Sequence, residues 1–486
     1  MSIRRSIQFF LKPVENTGFW IGLGLVVKLL FFLNGLREFG ATAHPGFIGA
    51  YGGDTFYYLQ PMEQWYKTGV YMPDFRMPGM APLYLLFREV LSYTNAQNAV
   101  LVVQWIMASL SVFFLAKSVF LISKSRLLFY LTFYVLLLSS YANLYDYYFL
   151  PDSLATSATI FFMYFLVKYY VSRRLGNLFI SGLFFCWLVF LRPPYALLPL
   201  FMGAVCILPN IKKITLSKSL ATLLVFSSGF ILVDSCWITR NYGKYARIIP
   251  LQKAVYYETA NNDYLEPLSE FVTAFGGNMY FWDPDAEIRW FNFRKDAIHI
   301  ESSRPPELPE NIYTSQFNRD SLLNLKKRIT EAESGKFSPE EERKINEGIG
   351  ATCRRYEQSL KAERPELYYV TSRLKAAYRF VFSNGTYNLF NEPFRQLNVL
   401  KVCVRFFYEG FYKLIALLCV AGIVFFPYRL RMLIFFLPVL YTFILFPFVF
   451  RFSEYRYMVP AYPFMVVSAC YLVFYYKNKW FTSSAQ

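Results

Sequence analysis

The sequence predicts an all-α polytopic membrane protein with about ten transmembrane helices. Hydrophobic residues make up 55% of the 486 residues, aromatic residues 20% and charged residues only 17%. Soluble domains contain about 45–50% apolar and about 25% charged residues, and disordered segments are poor in aromatic residues. The composition therefore excludes both a soluble domain and a disordered chain.

Ten apolar runs are predicted as membrane spans because each is close to the length that crosses a bilayer as a helix. They lie at residues 17–37, 97–121, 126–142, 153–171, 176–191, 194–209, 217–238, 401–426, 431–450 and 457–476. The fifth and sixth runs are short and separated by Pro193-Pro194, so they form either two tilted helices or a re-entrant pair.

Three domains are predicted from the distribution of these runs. Residues 1–239 form an N-terminal seven-helix membrane module whose first outer loop spans residues 38–97. Residues 240–400 form an extracytoplasmic loop subdomain, and residues 401–486 form a C-terminal three-helix membrane module.

The formal charge of +17 comes from short connections between apolar runs, since residues 240–400 are nearly neutral. Lysines and arginines in alternate connections predict that those connections and both termini are cytoplasmic. This distribution predicts a lipid bilayer rather than a nucleic acid as the partner of the basic residues. The basic start and Ala41-Thr42-Ala43 are also typical of a cleaved signal peptide, but the long run containing Lys28 favours a retained first span.

Helices are also predicted outside the spans. Residues 55–66 and 80–92 read as short amphipathic helices that lie in the membrane interface. Ser338-Pro339-Glu340-Glu341 is a capping box that begins a helix ending near Glu363. A further helix is expected from about Pro365 to Phe382.

Acidic residues close to the membrane are candidate functional groups, because carboxylates in hydrocarbon are costly and rarely retained without a use. Asp54 follows Gly52-Gly53, whose flexible backbone is expected to turn sharply and present the carboxylate. Asp54 is a candidate catalytic base, with simple helix capping as the alternative. Asp146 and Asp152 lie in the second outer loop, and Asp152 is equally compatible with a capping role.

Arginines at the outer ends of the runs complete the predicted site. Arg76 lies in a proline- and glycine-containing turn where it could bind a phosphate, with lipid headgroups or Asp74 as alternative partners. The remaining members of this ring are Arg192, Arg240, Arg451 and Arg456. The pattern fits a substrate with a phosphate headgroup and a lipid tail rather than an ion-conducting path.

Four segments resemble the GT-C glycosyltransferases, which take a sugar from a polyprenyl-phosphate carrier and include protein O-mannosyltransferases and lipid A aminoarabinose transferases. They are Asp54 with Tyr57 and Tyr58, Arg76-Met77-Pro78-Gly79, Trp237 to Tyr242 followed by Ile249-Pro250-Leu251, and Pro365-Glu366-Leu367-Tyr368. An adjacent Asp-Glu pair typical of protein mannosyltransferases is missing from the first loop, which argues against a protein acceptor.

The resemblance implies an inverting transfer in which Asp54 removes the proton of an acceptor hydroxyl. Asp146 or Asp152 would orient the acceptor or help to hold a divalent cation; the participation of Mg²⁺ or Mn²⁺ is left open. The implied groups that contact the lipid phosphate and sugar are Arg76, Arg240, Tyr57, Tyr58, Asn241, Tyr242, Arg192, Arg451 and Arg456.

The implied partners are a polyprenyl-phosphate-sugar donor and a glycan or lipid acceptor. The implied location is a bacterial inner membrane with the site on the periplasmic side. Two alternatives stay open: an O-antigen polymerase or ligase that uses undecaprenyl-diphosphate glycans, and a lipid-linked sugar transporter. The early carboxylates favour the transferase over the polymerase, and the seven-plus-three division of spans lacks the related halves expected of a transporter.

Overall fold

The chain is helical in the part that the computed structural model describes. The described residues are 13–40, 44–74, 76–207, 216–251, 264–280, 283, 286–291, 308–383, 389–425 and 432–483. Within these ranges the only β contacts are two isolated bridges, Ala50–Tyr148 and Thr314–Phe317. The all-α prediction is confirmed for this part of the chain.

The chain divides into two compact units. Unit 1 comprises Met1–Lys253, Asn384–Thr442 and Tyr455–Gln486, and unit 2 comprises Ala254–Ser383 and Phe443–Glu454. Helices of eight or more residues are numbered in chain order.

In unit 1 the helices are α1 (Thr17–Phe39), α2 (Thr55–Thr68), α3 (Ala81–Arg88), α4 (Tyr93–Ser123), α5 (Arg126–Leu137), α6 (Pro151–Ser172), α7 (Leu175–Leu191), α8 (Leu198–Ile207), α9 (Leu216–Tyr245), α14 (Val399–Phe425) and α16 (Tyr462–Ser483). In unit 2 they are α10 (Leu265–Ala274), α11 (Arg319–Ala332), α12 (Pro339–Glu363) and α13 (Ser372–Phe382). Helix α15 (Leu433–Ile444) begins in unit 1 and ends in unit 2.

Among the described residues, five helices are long and apolar enough to cross a membrane. They are Thr17–Phe39, Tyr93–Ser123, Pro151–Ser172, Ser219–Tyr245 and Val399–Phe425. Three apolar helices are shorter: Arg126–Leu137, Leu175–Leu191 and Leu433–Val449. The chain is a helical membrane protein by these criteria, while the count of ten spans stays a prediction.

Three predicted spans differ from the observed elements. The run at 126–142 is a continuous helix only to Leu137. The run at 194–209 starts with a 3₁₀ turn at Pro193–Leu197, since two prolines lack the N–H donors of an α-helix. The run at 431–450 passes from α15 into a π-helical turn at Leu445–Val449. The short helices predicted at 55–66 and 80–92 are present as α2 and α3.

Part of the orientation argument and of the signal-peptide alternative lies outside the described residues. These positions are Arg4, Arg5, Lys12, Ala41, Thr42, Ala43, Lys212, Lys213, Arg429 and Arg431.

A glycine brings two helices of unit 1 into backbone contact. A Cβ atom at Gly182 of α7 would lie 2.0 Å from the carbonyl oxygen of Phe226 in α9. Small residues of this kind allow membrane helices to approach closely, which gains van der Waals contact where no hydrophobic effect drives association.

A buried ion pair anchors α1 to the loop between α5 and α6. Lys28 Nζ lies 2.7 Å from Asp146 Oδ2 and donates to Asn143 Oδ1 at 2.7 Å. Ser153 Oγ donates to the other carboxylate oxygen of Asp146 at 2.5 Å. Both charged side chains are 3% exposed. Lys28, the charged residue in the apolar core of the first predicted span, thus has a specific structural partner. An unpaired charge at this position would be costly.

Unit 2 has its own hydrophobic core. Helix α12 begins at the predicted capping box, in which Ser338 and Glu341 exchange side-chain and backbone hydrogen bonds. The ring of Phe271 from α10 packs 5.7 Å from that of Tyr356 in α12. The expected helix from Pro365 to Phe382 is present as a π-helical turn at Leu367–Thr371 followed by α13.

The segment Phe443–Glu454 belongs to unit 2, although the sequence places it in the C-terminal membrane module. The ring of Phe446 stacks on that of Phe380 at 5.5 Å. Arg373 donates a hydrogen bond to the carbonyl oxygen of Phe448. Both contacts join residues that are more than sixty positions apart in the chain, and a hydropathy profile contains no information about such contacts.

Replacing Lys28 by methionine is expected to lower the free energy of unfolding by about 3–5 kcal/mol, because the buried Asp146 carboxylate loses its cation. Thermal unfolding of the detergent-solubilised protein measures the effect. The matched control is Lys413→Met, which removes a half-exposed pair with Glu409 and should cost less than about 1 kcal/mol. Equal melting temperatures for the two variants would contradict a structural role for the buried pair.

Candidate functional site

The Asp54 carboxylate lies at the start of α2 and faces two arginines. Its Oδ2 atom accepts a hydrogen bond from Nη2 of Arg456 at 2.5 Å and lies 3.2 Å from Nη2 of Arg76. Asp54 is the N-cap residue of α2, and its carbonyl oxygen accepts a hydrogen bond from the N–H of Tyr57 at 3.0 Å. Its side chain accepts no hydrogen bond from the helix and binds guanidinium groups instead, which offer stronger charge-assisted bonds than the backbone.

A turn at Gly52-Gly53 and the side chain of Thr55 together fix the chain in front of α2. The backbone N–H of Thr55 donates to the carbonyl oxygen of Gly52 at 3.0 Å, so the turn expected from the glycine pair is formed, although neither glycine has a positive φ angle. Thr55 Oγ1 accepts a hydrogen bond from the backbone N–H of Gly52 at 2.9 Å and donates one to the carbonyl oxygen of Phe149 at 3.1 Å. The buried threonine thereby ties the Asp54 loop to the loop before α6.

The turn that carries Arg76 packs directly against the end of α7. A Cβ atom at Gly79 would lie 2.4 Å from the carbonyl oxygen of Phe190, so only glycine fits. The indole N–H of Trp187 donates to the carbonyl oxygen of Gly79 at 2.9 Å. This close packing holds Arg76, whose guanidinium carbon lies 5.4 Å from the centre of the Tyr58 ring.

Arg456 reaches Asp54 from a 3₁₀ turn, Tyr455–Met458, that precedes α16. Two buried tyrosine hydroxyls fix the backbone of this turn. Tyr141 donates to the carbonyl oxygen of Tyr455 at 2.5 Å, and Tyr195 donates to that of Tyr457 at 3.0 Å. Arg456 is thus presented by a turn whose backbone is held on both sides.

A second ion pair, between Arg192 and Asp152, lies beside this group. Arg192 follows the last residue of α7, and Asp152 lies in the first turn of α6, where the helix dipole favours a carboxylate. Arg192 donates to Asp152 Oδ1, and the guanidinium carbon lies 5.0 Å from the centre of the Tyr457 ring. Leu150 is the N-cap of α6, so the capping role considered for Asp152 is not observed.

These two pairs form what is called here the arginine cluster: Asp54, Arg76, Arg456, Arg192 and Asp152. Its three guanidinium groups and two carboxylates leave one positive charge in excess. The Arg192–Asp152 pair is almost fully buried, while 11% of Arg76, 14% of Arg456 and 17% of Asp54 remain exposed. The cluster therefore offers a partly open positive site backed by a buried ion pair.

The ionisation of Asp54 reflects these neighbours. Burial by itself would raise the pKa of the Asp54 carboxyl, but the charges of Arg456, Arg76 and Arg192 and the hydrogen bond from Arg456 outweigh burial and lower the pKa. Asp54 is therefore ionised near neutral pH. Removing positive charge from its surroundings would make it a stronger base.

Arg240 lies in a separate group around Asp74. Its guanidinium donates to Asp74 Oδ2 at 2.6 Å and to the carbonyl oxygen of Tyr71 at 2.6 Å. Tyr245 donates to the same Asp74 oxygen at 2.5 Å, and Lys244 lies 3.3 Å from it. Asp74 was considered as a partner of Arg76, but the structure pairs it with Arg240 instead.

The buried Tyr71 interacts with arginines of both groups, namely Arg240 and Arg76. Burial raises the pKa of the Tyr71 hydroxyl, and the charges of both Arg240 and Arg76 act on it. The guanidinium of Arg240 is bound by Asp74 and Tyr71, and its expected place in one pocket with Asp54 stays a prediction. The two residues that follow Arg240 in the chain differ in burial. Asn241 is buried and donates to the carbonyl oxygen of Ile249 at 2.9 Å, whereas Tyr242 is 58% exposed.

The four remaining predicted site residues are Asp146, Tyr57, Tyr58 and Arg451. Asp146 belongs to the Lys28 ion pair and not to the arginine cluster. Of the two tyrosines on α2, Tyr58 is buried beside Arg76 and Tyr57 is about half-exposed. Arg451 donates to Glu357 at 3.1 Å within unit 2.

Asp74 and Tyr457 are the contributors that the sequence did not single out as site residues. Asp74 had a usable signal, since it lies two positions before Arg76 between two predicted interfacial helices. Tyr457 had none, because nothing in its local sequence indicates that its ring meets Arg192.

The charges of the arginine cluster are unsuited to a divalent cation. Each carboxylate is already bound to at least one guanidinium, and the excess charge is positive. Across the described ranges, no group of three or more histidine, cysteine, aspartate or glutamate side chains is arranged to hold a metal ion. The cluster instead fits an anion, for which arginine provides paired N–H donors.

No protein-family model matches the sequence, and no curated protein and no solved structure shows significant similarity to it.

Gly79→Ala is expected to lower the melting temperature of the protein and to displace Arg76, because the added methyl group collides with the backbone of α7. Gly53→Ala is the matched control, since its Cβ atom would meet nothing within 4 Å. Thermal unfolding compares the two variants. A Gly79→Ala protein as stable as the Gly53→Ala protein would show that the turn does not pack as described.

Proposed function

We propose that the chain is an integral membrane inverting glycosyltransferase of the GT-C type. It would move a sugar from a polyprenyl-phosphate carrier to a hydroxyl of a glycan or lipid acceptor. The observation that carries the proposal is the Asp54 carboxylate between Arg76 and Arg456, because it combines a proton acceptor with donors for a phosphate. The apolar helices supply the bilayer setting that a lipid-linked donor requires.

The phosphate of the donor would bind at Arg76 and Arg456. A phosphate competes with the Asp54 carboxylate for the same N–H groups, and its charge neutralises the excess positive charge of the arginine cluster. Buried Asp152 keeps Arg192 ionised and oriented during this exchange. The two arginines then stabilise the charge that develops on the leaving phosphate.

Displacement of Asp54 from its arginines would also prepare the base. The pKa of Asp54 is low because positive charge surrounds it, while burial acts in the opposite direction. Once the phosphate neutralises Arg76 and Arg456, burial prevails and the pKa rises. Binding of the donor therefore converts a weak base into a stronger one.

In the reaction, the oxygen of the acceptor hydroxyl attacks the anomeric carbon while the bond from that carbon to the phosphate oxygen breaks. The bonding electron pair leaves with the phosphate, and the hydroxyl proton passes to Asp54. Attack opposite the leaving group inverts the anomeric configuration. No redox partner or metal ion is needed to balance this step.

The finer topology belongs to the same proposal. We place ten spans across a bacterial inner membrane, with both termini in the cytoplasm and the arginine cluster on the periplasmic side. The excess of lysine and arginine in alternate connections supports this orientation.

Incubation of the purified protein with radiolabelled polyprenyl-phosphate sugars and a membrane extract as acceptor tests the activity. Transfer from a monophosphate donor is expected. Consumption of undecaprenyl-diphosphate glycans alone would instead indicate a polymerase or ligase. Movement of the intact carrier across vesicles without transfer would indicate a transporter.

Asp54→Asn is expected to reduce the transfer rate by about 10²–10⁴-fold, because an amide cannot accept the hydroxyl proton. Carrier affinity should not fall, since both arginines remain and the competing carboxylate is removed. Rates and carrier binding are measured on the same purified protein. Asp320→Asn, at an exposed position of α11, is the matched control and should retain the wild-type rate.

The reciprocal variant separates binding from proton transfer. Arg76→Ala should weaken carrier binding, because one phosphate contact is lost. Full turnover by Asp54→Asn would remove Asp54 from the base role. Unchanged carrier affinity in Arg76→Ala would place the phosphate elsewhere.

Arg456→Gln is expected to move the acidic limb of the kcat/KM profile to higher pH. In the wild-type protein the pKa of Asp54 is lowered, so activity is lost only when the pH falls below the usual range for aspartate. Without the charge of Arg456, burial raises that pKa, and protonation removes the base at a higher pH. A profile that coincides with that of the exposed control Arg355→Gln would contradict this assignment.

A further inference from the structure

A groove lies beside the arginine cluster, on residues that the proposed reaction does not use. It has a volume of about 450 Å³ and lies between α2, α3 and the start of α4. This size falls within the range of about 300–1,000 Å³ that is usual for small-molecule sites. Its lining includes Phe56, Gln60, Glu63, Gln64, Lys67 and Arg88.

One wall of the groove is a fixed ion pair. Glu63 accepts hydrogen bonds from Tyr84 and, at 2.9 Å, from Nε of Arg88. Arg88 also donates to the carbonyl oxygen of Leu91 at 3.2 Å, and its guanidinium carbon lies 4.2 Å from the centre of the Tyr66 ring. Because Glu63 and Arg88 neutralise each other, this wall presents oriented planar groups. The exposed cation of the groove is Lys67, whose Nζ lies 3.9 Å from Glu63 and whose side chain is 65% exposed.

Beside Glu63, helix α2 also contributes a stripe of neutral residues to the groove. Phe56, Gln60 and Gln64 are four residues apart, so they follow one face of the helix. All three side chains are exposed. Within the described part of the chain, neither glutamine amide makes a hydrogen bond to the protein. Each amide therefore keeps its donors and its acceptor available to a ligand.

We propose that this groove binds a saccharide and is the acceptor subsite, an inference that rests on the proposed function. Sugar hydroxyl groups both donate and accept hydrogen bonds. A glutamine amide can pair with either, because its NH₂ group donates and its carbonyl oxygen accepts. Exposed Phe56 provides an aromatic face against which the C–H groups of a sugar ring can pack. The combination of amides and an aromatic ring therefore favours a glycan acceptor.

Two other occupants fit less well. A lipid tail would bury the two glutamine amides without partners, which is costly. A phosphate headgroup would find Arg88 already paired with Glu63 and only Lys67 as an exposed cation, which offers a point charge without the paired N–H donors of a guanidinium group. Neither objection applies to a hydroxyl-rich ring.

The position of the groove fits this role. Asp54 lies at the N-terminal end of α2, six residues before Gln60. At the rise of an α-helix this separation is roughly 9 Å along the axis. Tyr58, which packs beside Arg76, lies on the other side of α2. A saccharide held by Gln60 and Gln64 would therefore pass Phe56 and the N-terminal end of α2 to present a hydroxyl to Asp54.

A glycan array probed with the full-length protein in lipid nanodiscs, without any donor, tests the proposal. The wild-type protein is expected to bind a subset of the immobilised glycans. Gln60→Ala/Gln64→Ala should reduce that signal at least tenfold, and Phe56→Ala should also weaken it. Gln358→Ala, an exposed glutamine on α12, is the matched control and should bind as the wild type does. Equal melting temperatures establish that the variants are folded.

Three results would overturn the proposal: no glycan bound by the wild-type protein, equal binding by the double variant, or displacement of the bound glycan by glycerol 3-phosphate but not by the free saccharide. Asp54→Asn should bind glycans normally, because Asp54 acts only in the transfer. Glycan binding that depends on Gln60 and Gln64 but is accompanied by no transfer would therefore reject the proposed function and retain the groove.

Discussion

The pairing of aspartates with arginines is the constraint on which the rest of the site depends. Asp54 and Arg456 are 402 positions apart in the chain, yet one hydrogen bond joins them. A buried charge without a partner costs several kcal/mol, so the loop before α2 and the turn before α16 are compatible only when these groups meet. Arg192 and Asp152 impose the same condition on the ends of α7 and α6.

In the proposed function, the excess of positive charge gives the arginine cluster a means of responding to the phosphate of the donor. Asp54 occupies the donors that a phosphate would use. An arriving phosphate would exchange one acceptor for another, so the arginines would remain satisfied while the carboxylate became more basic. The same residues can thus connect recognition of a phosphate to activation of a proton acceptor without a large movement of the backbone.

The sequence located the charged residues of the cluster but could not assign their partners. Asp54, Arg192 and Arg456 lie near the ends of apolar runs, where charges are few, and Arg76 lies in a proline- and glycine-containing turn. The same criterion selected Asp146 and Arg240, which pair with Lys28 and Asp74 instead. These residues have similar local surroundings in the sequence, and hydropathy therefore could not separate a structural ion pair from a member of the cluster.

Hydropathy and capping preferences determined the helical class, the positions of most helices and the start of α12, because those properties depend on residues within a few turns of one another. The tertiary structure alone decided which carboxylate meets which guanidinium, that Gly79 packs on α7, and that Phe443–Glu454 belongs to unit 2. Such contacts join distant parts of the chain. Their energies depend on burial and on distances of a few ångströms, and neither quantity is encoded in local composition.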